Sequence, residues 1–141
     1  MRLLMKSCMV MCLLLASAFA HAGLVVIVNA KSTITSLDRD EVSRIFLKKL
    51  KVMPDGSEVI PVGQLSSPEV DEQFYLAVCN KDRSQLSAYW ARLMFTGKDR
   101  PPVDGKNDKG VISLVSDDTR AVGFVDEASV TAGVRIVFRV R

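Results

Sequence analysis

Histidine is nearly absent from this sequence: one in 141 residues, at His21. Cysteine is scarce too, at three, and aromatic residues make up 6%. Long apolar runs are missing everywhere except at the start, where Ser7 to Phe19 is almost unbroken. Arg2 and Lys6 precede that run, and Ala20-His21-Ala22 ends it with the small residues a signal peptidase reads at −3 and −1. The run is too short for a membrane span and no stop-transfer charges follow it. Residues 1–22 are therefore expected to be a cleaved signal peptide, with residues 23–141 forming a single exported domain in a periplasm.

Cleavage after Ala22 sharpens every scarcity. It removes His21, so no Ser-His-Asp or Cys-His catalysis is available, nor the commonest zinc sets. It removes Cys8 and Cys12, neither of which follows a lipobox, so no lipid anchor is expected. Cys79 alone cannot close an internal disulfide. It is read as a small hydrophobe on a helix, with pairing between chains as the alternative. The formal net charge of +3 includes Arg2 and Lys6, so the remainder is close to neutral and carries no nucleic-acid footprint.

What remains reads as alternating strands and helices. Leu24 to Val28 is continuous and β-branched, as in a strand buried on both faces. Asp38 with Glu41 forms a capping box, and Leu37 with Val42 a hydrophobic staple. Val42, Ile45, Phe46 and Leu50 then share a helix face, opposite Arg44, Lys48, Lys49 and Lys51. Pro54-Asp55-Gly56 is a turn and Val59 to Val62 a second strand. Ser67 before Pro68 opens another helix, with Ser66 and Glu69 as an alternative box. Asp82 and Gln85 cap a third, whose stripe of Leu86, Tyr89, Trp90, Leu93 and Met94 is read as core rather than as a ligand platform. Gly97 ends it.

Lys98 to Lys109 reads as a polar loop. Asn107 or Asp108 caps a short helix burying Val111, Ile112 and Val115. Ala121 to Val125 is a strand. Val134 to Val140 alternates, with Val134, Ile136, Phe138 and Val140 on one face and Arg135, Arg139 and Arg141 on a solvated one. The order β-α-β-α-α-α-β-β predicts an α/β domain, a small mixed sheet flanked by helices. The acid pairs Asp117-Asp118 and Asp126-Glu127 stand without a base, metal set or nucleophile, so no enzyme is expected.

Three segments together carry a resemblance. Val26-Ile27-Val28-Asn29 with Ser36-Leu37-Asp38 through Ile45-Phe46, then Tyr89-Trp90 through Phe95-Thr96-Gly97, then Ala121-Val122-Gly123-Phe124-Val125 resemble, in this order, segments of phosphate-type periplasmic solute-binding proteins and their small one-lobed relatives. The resemblance implies one lobe of a type II periplasmic binding-protein fold. It sets the start of the chain at the family's second-lobe strand, with no counterpart of the first-lobe phosphate loop before Leu24. The family's anion-binding Arg falls at Gln64, and its Ser-Gly-Thr loop at Pro68, Glu69 and Val70.

The ligand-binding residues expected on this basis are Gln64, Ser66, Ser67 and Asn29, with no catalytic residue, metal or cofactor. Glu69, Asp71 and Glu72 crowd the same helix start and oppose an anion. Two functions follow. One is a solute-binding protein related to phosphate ABC transporter substrate-binding subunits, with phosphate or another oxyanion in an incomplete site. The other is a sensory or protein-interaction module. The first needs a second lobe from a partner or a homodimer to bind tightly, with ABC transporter membrane subunits as partners; the second docks on a membrane sensor or envelope protein. The Arg44–Lys51 cluster and the Lys98–Lys109 loop are its candidate docking surfaces.

Overall fold

A computed structural model describes residues 23–141. The expected signal peptide lies outside the described residues. The elements are β1 (Leu24–Asn29), α1 (Arg39–Phe46), β2 (Ile60–Gly63), α2 (Pro68–Cys79), α3 (Arg83–Phe95), β3 (Val103–Asp104), α4 (Asp108–Asp117), β4 (Ala121–Asp126) and β5 (Val134–Arg139). A 3-10 turn at Glu127–Ser129 links the last two strands. Among the described residues no helix is long and apolar enough to cross a membrane.

The sheet has the order β3-β2-β4-β1-β5. β2 runs parallel to β3 and β4, and β1 runs antiparallel to β4 and β5. All six residues of β1 are buried, because helices cover both sides of the strand. On one face α1, α2 and α3 bring Val42, Ile45, Phe46, Phe74, Tyr75, Leu86 and Trp90 onto Val26, Val28, Val122 and Phe124. On the other, α4 sets Val111 and Val115 against Val25, Ile27, Val62 and Val125. The mixed α/β sheet expected from sequence is thus present as three layers.

Aromatic packing fixes the larger core. Phe74 stacks on Phe124 at 3.9 Å between centroids, and Phe46 meets Phe74 edge-on at 4.7 Å. Such geometries add to burial because ring edges are positive and faces negative. Tyr75 is 2% exposed and its hydroxyl donates to the Phe46 carbonyl. Tyr89, half-buried, donates to the Leu47 carbonyl at 2.6 Å. In the smaller core Gly123 is obligatory, since a Cβ there would lie 2.4 Å from Val111 Cγ1.

Four local readings differ from the structure. A β-bulge shifts the β1–β5 register between Val26 and Ile27, pairing Val26 with Phe138 but Ile27 with Ile136. The extra residue, Val137, is buried, and the row divides: Val134 and Ile136 pack on the α4 face, Phe138 and Val140 on the other. A bulge reverses alternation in this way. Arg135 is not simply wet, since its guanidinium donates to the carbonyls of Ala30, Ser32 and Ile34. The α3 stripe is only partly core, with Met94 53% exposed. The loop before α4 contains a short strand, β3, which the sequence reading lacks.

Helix starts follow their sequence signals except one. Asp38 and Asp82 form full capping boxes with Glu41 and Gln85, and Asn107 caps α4. Ser67 stands at the N-cap of α2 without a side-chain capping bond.

Candidate functional site

β2, β3 and β4 run in the same direction, and their carboxyl ends meet the starts of α2 and α4. Open α/β sheets bind ligands at this edge, where helix starts present free N–H groups. Gln64, Ser66 and Ser67 all lie here. Asn29 does not. It stands at the far end of β1, where its amide donates to the carbonyls of Val115 and Ser116 at 3.0 and 2.8 Å and its oxygen accepts the Lys31 N–H at 2.9 Å. There it satisfies the end of α4, a task for which a buried amide is well suited.

Gln64 follows β2 and is 1% exposed. Its side-chain nitrogen donates to the Phe124 carbonyl at 2.8 Å and to Asp108 Oδ1 at 2.9 Å, which uses both amide hydrogens. Its backbone N–H donates to Asp71 Oδ1 at 3.0 Å. Asp108, in the first turn of α4, also accepts the Asp126 N–H at 3.1 Å and the Ser129 hydroxyl at 2.7 Å on Oδ2.

Asp104 ends β3. Its Oδ1 accepts the Lys106 N–H at 2.8 Å and the Ser66 N–H at 3.3 Å, and its Oδ2 accepts the Ser66 hydroxyl. The left-handed conformation of Lys106, with φ of 74°, curls the loop back over this carboxylate. The hydroxyl of Ser67 donates to the Lys106 carbonyl at 2.5 Å instead of capping α2. Burial pushes the Asp104 carboxyl up, but the Ser66 hydroxyl, Lys106 N–H and Ser66 N–H outweigh it and hold it below the ordinary carboxylate range.

The donors that suit an oxyanion are therefore taken by the chain's own carboxylates. Asp71, Asp104 and Asp108 accept the N–H groups of Gln64, Ser66, Lys106 and Asp126. A phosphate would have to displace them and sit beside their charge. Two like charges 4 Å apart near a protein surface repel by about 4 kcal/mol. A hydrogen bond to a charged group returns about 1.5–3 kcal/mol. One such repulsion offsets one or two new hydrogen bonds, so the balance opposes a bound anion while these carboxylates are ionised.

Asp71 differs from the other two. It is 7% exposed, and burial pushes its carboxyl up, with the nearby Asp104 charge adding to the effect and the Gln64 N–H opposing it. Sequence reasoning treated Asp71 only as part of an acidic crowd and gave Asp104 no role. A two-residue apolar-acidic strand between Pro102 and Gly105 is too short to show periodicity, which is why the carboxylate that accepts from Ser66 was missed.

Several other charged groups are committed to neighbours. Lys48 and Lys51 reach Asp99 at 3.6 and 2.7 Å, so the basic cluster and the Lys98–Lys109 loop, two candidate docking surfaces, hold each other. Arg120 pairs with Asp118 and Glu58, and Arg139 with Glu127. Among the described residues no three His, Cys, Asp or Glu side chains gather as a metal site.

No protein-family model matches the chain, and no curated protein matches it in sequence. Solved structures do match in fold. An ABC-type phosphate transport receptor from Vibrio cholerae superposes with a TM-score of 0.64 at 18% identity. PstS from Borrelia burgdorferi gives 0.62 at 13% identity. A candidate phosphate ABC transporter substrate-binding protein with bound phosphate, from Clostridium perfringens, gives 0.62 at 15%. Each match covers 82% of this chain and 45%, 46% and 44% of the other, respectively. The chain has the fold of one part of these binding proteins and spans less than half of their length.

Proposed function

We propose that this chain is an exported, solute-binding-type lobe of a phosphate transport or phosphate-sensing system, and that it works by engaging a protein partner rather than by capturing phosphate alone. The observation that carries this reading is the occupation of the Ser66 and Lys106 donors by Asp104. The fold neighbours supply the transport context, through what their names say of them. An envelope sensor or transporter membrane subunit is the kind of partner this predicts. Residues 1–22 are the proposed export signal, and an intact mass beginning at Gly23 would support it.

Exposed apolar side chains support the partner reading. Phe95 at the end of α3 is 95% exposed, and Leu65 and Met94 are 60% and 53% exposed. Leu65 and Met94 lie together at one groove, and large exposed apolar groups in a patch mark protein contacts more often than idle surface. A photo-crosslinker placed at Phe95 in cells tests this. Crosslinking to one defined envelope protein is expected, and loss of that adduct in Met94→Glu. A diffuse ladder unaffected by Met94→Glu would contradict the reading.

One observation favours oxyanion binding as a second reading: Ser66 and Lys106 already present converging N–H groups. Amide resonances of these two residues that shift saturably with phosphate would establish it.

A further inference from the structure

Beside the carboxylate-filled end lies a groove of about 320 Å³ between α2, α3 and Pro101–Pro102. Its walls are mainly apolar, with Leu65, Tyr75, Leu86, Trp90 and Met94 among them. The volume falls in the range of small-molecule sites, which combine apolar walls with a few convergent polar groups. Three charged side chains reach it: Asp71, Glu72 and Arg83. Arg83 pairs with Glu72 at 3.0 Å, so these two neutralise each other. Asp71 has no cation among the described residues. Its one hydrogen-bond donor is the Gln64 N–H on Oδ1, which leaves Oδ2 without a protein partner.

We propose that this groove binds a small organic cation, an ammonium group on an apolar body, with the ammonium on Asp71 and the body against Trp90, Leu86 and Met94. Charge selects the sign of the ligand. A carboxylate this buried is costly unless paired, and an incoming ammonium supplies the pair. Asp104 on β3 adds negative charge near Asp71, and Arg83 is held by Glu72. Apolar walls exclude a strongly hydrated inorganic cation and favour a hydrocarbon body. The groove shares Leu65 and Met94 with the proposed partner surface, but the inference rests on Asp71, and neither the Ser66 donors nor Phe95 line the groove.

The chain contains one tryptophan, and it lines the groove, so Trp90 emission reports binding directly. Phenethylammonium is the probe, phenylacetate the charge-reversed control and benzyl alcohol the neutral one. Saturable change with phenethylammonium is expected, at least tenfold tighter than with either control. Asp71→Asn should erase that tenfold preference, and binding should weaken as pH falls and Asp71 takes up a proton. Ala91→Phe on the groove wall, read by calorimetry, should block binding with the fold intact. Equal response to all three probes, or an unchanged preference in Asp71→Asn, would overturn the proposal. So would the absence of any saturable response to phenethylammonium.

Discussion

Asp104 takes the donors that the proposed reading denies to an oxyanion. It accepts three donors from Ser66 and Lys106, and its replacement by Asn would leave only one oxygen able to accept them. Loss of charge-assisted bonds at this part-exposed position should cost about 1 kcal/mol, visible as a lower thermal midpoint. Asp71 behaves in the opposite sense. Its folded pKa is raised, so the ionised form is disfavoured in the native state and stability falls as pH rises through that range. Asp71→Asn keeps an acceptor for the Gln64 N–H without the charge. It should melt at or above the wild-type temperature at neutral pH, and the difference should shrink as pH falls through the raised pKa. A lower midpoint at neutral pH would contradict this. These two carboxylates show what sequence conveys poorly. Glu41 and Gln85 announce their roles by spacing from a cap, whereas Asp71 and Asp104 acquire theirs where α2 and β3 meet the segment after β2.

The turn from β3 into α4 depends on very close backbone approach. A Cβ on Gly110 would fall 1.9 Å from the Gly105 carbonyl oxygen, which is backbone and cannot move aside cheaply. Gly110→Ala should destabilise the chain by about 2 kcal/mol and loosen the Lys106 loop. Amide exchange at Lys106 would rise in that variant if the loop is held by this contact. Helix α1 was legible because its cap, staple and apolar face agree. Strand β5 was legible as a strand but not in its facing, because Val137 fits either an alternating row or a bulge and only the pairing with Val26 and Ile27 decides. Helix α3 was legible in extent, yet its outer turn carries Met94 and Phe95 into solvent. Replacing Phe95 by Glu should therefore change stability by less than about 0.5 kcal/mol, since so exposed a ring buries almost nothing. Chemical denaturation would check that directly.

The two cores hold three layers together, and Phe46, Phe74 and Phe124 tie the helical layer to the sheet. Phe74→Ala should cost about 3–5 kcal/mol by removing the stacked ring. That loss is a large share of the total stability of a domain this size. The α/β class was legible from the order of elements, and the resemblance to binding-protein segments agrees with the fold found in the structural matches. The site was legible only as a location. Gln64, Ser66 and Ser67 do converge, but Gln64 and Ser66 take their partners from aspartates on three other elements, Ser67 bonds the Lys106 carbonyl, and no spacing rule links Ser66 to Asp104. The arrangement is a fold shared with one part of solved binding proteins, and its donor end is closed from within. Calorimetric titration of phosphate into the purified chain at neutral pH tests this most directly. No saturable heat up to millimolar phosphate is predicted; one-to-one binding in the micromolar range would contradict it.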